Sequence, residues 1–181
     1  MGTILNDFTE HKKICADVFE KFKDKLPAEL IEVWKKHGYG LFKDGFLKTI
    51  NPDEYSEIVE HSYLRHDRAI PIFTTAMGDI IVWEQNRYVY LLNYRKGYAH
   101  IVSAGLDFFF EDLEDESFMN DELMWLPYPD VVIKQGIPDY NECFGYTPLL
   151  ALGGEEKAEN LKIVKLKEHI LVRTEFMGPI Q

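Results

Sequence analysis

From Ala69 to Gly105 the hydrophobic residues recur with a period of two. The stretches AIPIFTTAMGD, DIIVWEQ, RYVYLLNY and GYAHIVSAG are short and rich in β-branched and aromatic side chains, the composition that suits a pleated, half-buried surface. Gln85-Asn86 and Arg95-Lys96-Gly97 lie between them as tight connections. These four stretches predict an antiparallel meander packed by helices on one face.

The residues before the meander follow a helical period. In FTEHKKICADVFEKFKDKL, Ile14, Val18 and Phe22 stand four apart and form one apolar stripe. Pro27 interrupts that stripe and suits the first turn of a second helix, PAELIEVWKKHG, whose apolar face is Leu30, Ile31 and Trp34. Gly38 is placed to end it. YGLFKDGFLKTIN reads as a hairpin turning at Lys43-Asp44-Gly45. Asn51 is a good N-cap for a third helix, with Pro52 at its first position and Asp53 and Glu54 complementing the dipole. After the meander, helical signals return at LDFFFEDLEDESFMNDELMWL and at PYPDVVIKQG. The closing NLKIVKLKEHILVRTEF alternates well enough for one or two strands. The expected fold class is therefore α+β.

A content of 46% hydrophobic and 14% aromatic residues excludes disorder. No run approaches the roughly 18 apolar residues that a membrane span requires. The N-terminus has no basic region followed by an apolar one, and so does not resemble a secretory signal. Met1-Gly2 opens like an acylation site, but Asn6 stands where Ser or Thr belongs. Cys15 and Cys143 make neither a disulfide framework nor a metal set, which fits a reducing cytoplasm.

The net charge of −11 is unevenly placed. Residues 106–142 hold one lysine, Lys134, against eleven acids, so that ten of the eleven excess negative charges fall there. Nucleic acid and anionic membranes, which both call for a basic footprint, are disfavoured as partners. Within FFFEDLEDESFMNDEL, Phe109, Phe110, Leu113 and Phe118 fit an inner face. Glu111, Asp112, Glu114, Asp115, Glu116, Asp121 and Glu122 are left outside. These seven are either a solvated helix face or a docking surface for a basic partner.

Other candidate chemistry is weaker. His61 and His66 are five apart, a spacing that does not align two imidazoles on one helical face. Cys143 has apolar neighbours and reads as a buried thiol. Gly153-Gly154 belongs to no phosphate-binding pattern, and Glu155 and Glu156 follow at once; the pair reads as a sharp exit from a buried strand. No cofactor and no metal site is expected.

Several of these segments together resemble a known family. LPAELIEVWKKHGYGLFKDGFLKTINPDEY and AIPIFTTAMGDIIVWE resemble GAD-like domains. FFFEDLEDESFMNDEL followed by YNECFGYTPLLALGG resembles the C-terminal domain paired with it in type VI secretion immunity proteins. The block ECFGYTPLLALGG is the most specific part, and Asn51 to Tyr55 comes next. Met77 departs from the pattern, standing where an aromatic would precede Gly78-Asp79. The resemblance implies two domains, residues 1–105 and 106–181, sharing one core. It also implies a non-enzymatic, cytoplasmic antitoxin that occludes a cognate toxin, often a nuclease. The rival readings are a scaffold or regulatory module, and a small hydrolase or ligand-binding protein using Cys143, His100 or Tyr146.

Overall fold

A computed structural model of the chain describes residues 4–181; Met1-Gly2, the start of the discounted acylation motif, lies outside the described residues. In chain order the elements are β1 (Thr9–Lys12), α1 (Ala16–Phe22), α2 (Ala28–His37), β2 (Tyr39–Phe42), β3 (Leu47–Thr49) and α3 (Pro52–Ser62). The four meander strands follow: β4 (Ala69–Thr75), β5 (Ile80–Glu84), β6 (Tyr88–Asn93) and β7 (Tyr98–Ser103). Then come α4 (Leu106–Asp112), α5 (Glu116–Asp121), α6 (Tyr128–Gln135), β8 (Glu142–Tyr146), β9 (Leu161–Lys165) and α7 (Leu166–Met177). The fold is α+β, as its sequence pattern predicts.

Strands β1 to β7 form one antiparallel sheet in sequential order, and β8 pairs with β9 in a separate two-stranded ribbon. The connections are as short as their residues predict. Gln85 and Asn86 both have positive φ, 55° and 52°, in the three-residue connection between Glu84 and Tyr88, where the Arg87 N–H donates to the Glu84 carbonyl at 3.1 Å. Lys43, Asp44 and Gly45 turn between β2 and β3, and the Asp7 carboxylate accepts the backbone N–H groups of Lys43 and Asp44. Asn51 caps α3 by accepting the Asp53 N–H at 3.1 Å.

Three expectations are corrected. The sheet is covered on both faces rather than one. Phe73 on one face packs on Phe109 and Phe110 of α4, at ring separations of 5.9 and 6.1 Å. On the other face Lys48 reaches the Asp139 and Glu142 carbonyls, and Glu84 accepts from the Tyr63 hydroxyl. Every residue of β5 is buried. Its near-continuous apolar run IIVW is what a doubly covered strand requires.

Thr9–Lys12 is an edge strand paired with β2, not the first turns of a helix. TEHK offers no apolar residue to a helical stripe, so its backbone satisfies itself on the sheet edge instead. The closing segment makes one strand, within the one or two expected, but its second half is a helix. After β9 it winds into α7, because Leu166, Ile170 and Arg173 recur at helical spacing and are the buried residues of that element.

The buried cluster is continuous from Phe22 and Trp34 through β4–β6 to Phe144, Leu166 and Ile170. Phe144 N–H donates to the Ala76 carbonyl at 2.7 Å, joining the β8–β9 ribbon to the end of β4.

Candidate interaction surface and the buried polar groups behind it

The acidic segment forms two short helices, not one long one. Carrying one helix through Leu113 to Asp115 would stack Glu111 on Asp115 and Asp112 on Glu116, like charges four residues apart. The chain breaks there, and Asp115 becomes the N-cap of α5, its carboxylate accepting the Ser117 N–H at 2.8 Å. The inner face is as its spacing predicts: Phe109, Phe110 and Leu113 are buried, and Phe118 packs against them with its ring centroid 6.0 Å from that of Phe109.

Six of the seven candidate carboxylates, Glu111, Asp112, Glu114, Asp115, Glu116 and Asp121, are exposed. Glu122 is half-buried, and its Oε2 lies 3.4 Å from His100 Nε2. Among the described residues no lysine or arginine is ion-paired with Glu111, Asp112, Glu116 or Asp121. Phe108, 56% exposed, is displayed on α4 among these acids. The surface can offer negative charge and one aromatic ring to a partner, and it concentrates a field of one sign on two adjoining helices.

The other candidates occupy different places. His61 Nδ1 is bonded to the Glu57 carbonyl on its own helix, and His66 sits in the short 3-10 turn that follows. Cys143 is fully buried on β8, where burial pushes its thiol up to about 12. The imidazole brought to the same place is that of His169 on α7: a Cβ added to Gly78 would lie 3.3 Å from Cys143 Sγ and 3.7 Å from His169 Cδ2. Burial lowers His169 below the usual imidazole range. A thiol raised and an imidazole lowered are both neutral near pH 7, the opposite of an activated nucleophile pair.

Gly153-Gly154 is not the exit of a buried strand: β8 ends at Tyr146, residues 147–153 are exposed or half-buried, and Gly153 closes a short 3-10 turn in the left-handed conformation, φ 84°. Gly154 serves a close approach, since a Cβ there would meet the Pro148 carbonyl oxygen at 2.1 Å.

Spacing alone did not reveal the buried charged groups, Asp79, Arg95 and Lys48 among them. Asp79, fully buried, accepts the Tyr94 N–H at 2.9 Å and the Arg95 Nε and Nη2 at 2.9 and 2.6 Å. Arg95 also donates to the Leu123 and Met124 carbonyls, tying the meander to the end of the acidic segment. Lys48, fully buried, is held by two carbonyls, with its ammonium lowered to about 8 by burial. The signal for Asp79 was present in the Gly78-Asp79 pair; that for Lys48 was its place in an otherwise buried three-residue strand.

With the geometry established, the comparisons decide the family. Residues 2–94 match the GAD-like domain. The chain belongs to the GAD-like domain family. Residues 103–177 of this GAD-like protein match the C-terminal domain of the type VI secretion immunity protein Tdi1. The two matches follow one another in the order that the quoted motifs imply. No curated protein matches the chain. Among solved structures, the crystal structure of Atu4351 from Agrobacterium tumefaciens superposes with a TM-score of 0.77. It is 17% identical, with 94% of this chain and 86% of that one covered. That likeness carries the fold.

Proposed function

We propose that this GAD-like protein is a non-catalytic, cytoplasmic immunity protein that binds a cognate effector toxin through the acidic face of α4 and α5 and occludes it. The observation that carries the reading is the acidic run of α4, α5 and their junction, where Glu111, Asp112, Glu114, Asp115, Glu116 and Asp121 are all exposed, within the domain that matches Tdi1 and in the segment, residues 106–142, where ten net negative charges fall. Glu111, Asp112, Glu114, Asp115, Glu116, Asp121 and Glu122 form the docking surface. The toxin presents a basic surface to it, and nucleases are the class that fits best, because they grip phosphate with cations that an acidic protein can cover. Neither nucleic acid nor membrane is a partner in this reading. Residues 1–105 and 106–181 act as two domains on a shared core, the second supplying the surface.

The test pairs this protein with the effector domain encoded beside its gene. Association is followed by stopped flow from about 0.05 to 0.5 M salt, a range over which the screening length falls from above 10 Å to below 5 Å. The association rate is expected to fall at least tenfold across that range. Reversing Glu111, Asp112 and Glu116 to lysine should lower it comparably at low salt while leaving the fold intact. An association rate indifferent to both salt and charge reversal would remove this face from the interface. A folded protein that neither binds nor protects against the neighbouring effector would favour a scaffold instead.

A further inference from the structure

Arg173 is 7% exposed and, among the described residues, forms no salt bridge. It lies on the buried stripe of α7 that begins with Leu166 and Ile170, where an apolar residue would continue the pattern. A guanidinium has five N–H donors. One protein bond is made by Arg173, from Nη1 to the Gly178 carbonyl at 2.6 Å. Capping the end of α7 accounts for that bond and for a cation near a helix C-terminus. It does not account for burial, which lowers Arg173 below the usual range and costs energy that a surface cap would not incur.

The guanidinium lines a cleft. Its floor is the β6–β7 turn, where Arg173 Nη2 lies so close over Gly97 that a Cβ there would sit 2.6 Å away. One wall is the Leu149–Gly154 loop, with Leu150 and Ala151; the other is α7, with Met177. The cleft measures about 340 Å³, and a recess of about 20 Å³ lined by Met77, Gly78, Tyr146 and His169 shares its Leu150, Ala151 and Arg173 walls. The size falls within the range of small-molecule sites, roughly 300–1,000 Å³. Two sequence stretches distant in the chain, Met77-Gly78 and Tyr146–Gly154, meet at this one place.

Charge bookkeeping narrows what would fill it. Arg95 is neutralised by Asp79 at 2.6 Å, and Lys96 by Glu156 at 2.5 Å. His169 is neutral near pH 7. One positive charge, that of Arg173, is left over. With Glu156 paired to Lys96, the single remaining cation matches a singly charged anion. A planar guanidinium pairs best with a planar two-oxygen acceptor, and the Leu150, Ala151 and Met177 walls suit an apolar body behind it.

We propose that the cleft between the β6–β7 turn, the Leu149–Gly154 loop and α7 is a binding site for a monocarboxylate, with Arg173 as its charge partner. The carboxylate is either that of a small free acid or the side chain of a glutamate in a protein segment. The site stands on other elements than the acidic face and does not depend on the effector reading.

The experiment is a titration of the isotope-labelled full chain, read at the Gly97 amide and the His169 ring by NMR. The probes are hexanoate and a blocked peptide containing a single glutamate, with hexanamide and inorganic phosphate as comparisons. Saturable shifts at both positions are expected with at least one carboxylate, with a Kd on the order of 1 mM or tighter, and at least tenfold weaker binding of hexanamide and phosphate. Which of the two carboxylates binds distinguishes the free acid from the protein side chain. Arg173→Gln should lose the response. Ala151→Trp, an exposed change that narrows the mouth and leaves the guanidinium in place, should lose it as well even if the Arg173 variant fails to fold. Absence of saturable shifts with both carboxylates, equal binding of hexanamide, or undiminished binding by folded Arg173→Gln or Ala151→Trp would overturn the proposal.

Discussion

At the scale of single residues, burial sets the chemistry. Cys15 is exposed and Cys143 is buried. A disulfide-exchange reagent at pH 8 should therefore titrate one thiol of the native protein at once and the second only on unfolding. A fast second thiol would show that β8 opens on its own. Lys48 makes a pH prediction. Its folded pKa, about 8, lies below its ordinary 10.5. Below pH 8 both states hold the proton and the folded state bears the cost of the buried cation. As pH rises from 8 the folded state releases its proton first, so stability climbs by at most about 1.4 kcal/mol per pH unit. The climb ends near pH 10, where tyrosines such as Tyr55 and Tyr94, held by burial well above the usual phenol range, begin to ionise in the unfolded chain alone. Urea midpoints between pH 7 and 10 should show this rise in the natural protein and not in Lys48→Met. For Asp79, truncation to alanine strands the Arg95 guanidinium, which is 7% exposed. A loss of about 3–5 kcal/mol is expected in chemical denaturation.

At the scale of elements, local signals work where side chain and backbone agree. The cap at Asn51, the turns at Gln85-Asn86 and Lys43-Asp44-Gly45, and the inner face of Phe109, Phe110 and Leu113 were legible because each rests on neighbours in sequence. Removing the Asp115 cap by mutation to alanine should cost about 1 kcal/mol and fray α5, measurable as lost amide protection at Ser117. The elements that were misread depend on distant partners. TEHK is a strand because β2 is there to pair with it, and the LKEHILVRTEFM segment is a helix because β8 and α3 receive its Leu166, His169 and Ile170 face. Gly145 illustrates that dependence. A Cβ there would lie 2.5 Å from the His169 ring, so Gly145→Ala should cost about 1–3 kcal/mol and displace α7 from β8.

At the scale of the molecule, the charge distribution and the core act in opposite directions. The core extends through both halves of the chain, whereas the excess charge sits in residues 106–142, most of its carboxylates on or between two helices. Among the described residues no cation pairs with Glu111, Asp112 or Glu116. Replacing these three by glutamine should therefore raise stability at low salt, by roughly 0.2–0.5 kcal/mol for each like-charge pair removed, and the gain should vanish near 1 M salt. The same replacements should slow association with the effector. Stability and binding would then move in opposite directions, the signature of a surface kept acidic for a partner.

The sequence by itself determined the fold class, the meander and its turns, the inner face of the acidic helices and the family. All of these are carried by residues within a few positions of one another. Tertiary structure alone decided that the sheet is covered on both sides, that Thr9–Lys12 is an edge strand and Leu166–Met177 a helix, and that the His169 ring and the Cys143 thiol meet at Gly78. It also decided that Arg173 is buried with no carboxylate partner among the described residues. The physical reason is common to all of these. An isolated backbone or charge has several states of nearly equal energy, and only groups brought from far along the chain, by supplying a hydrogen bond, a buried contact or an excluded volume, make one of them lowest.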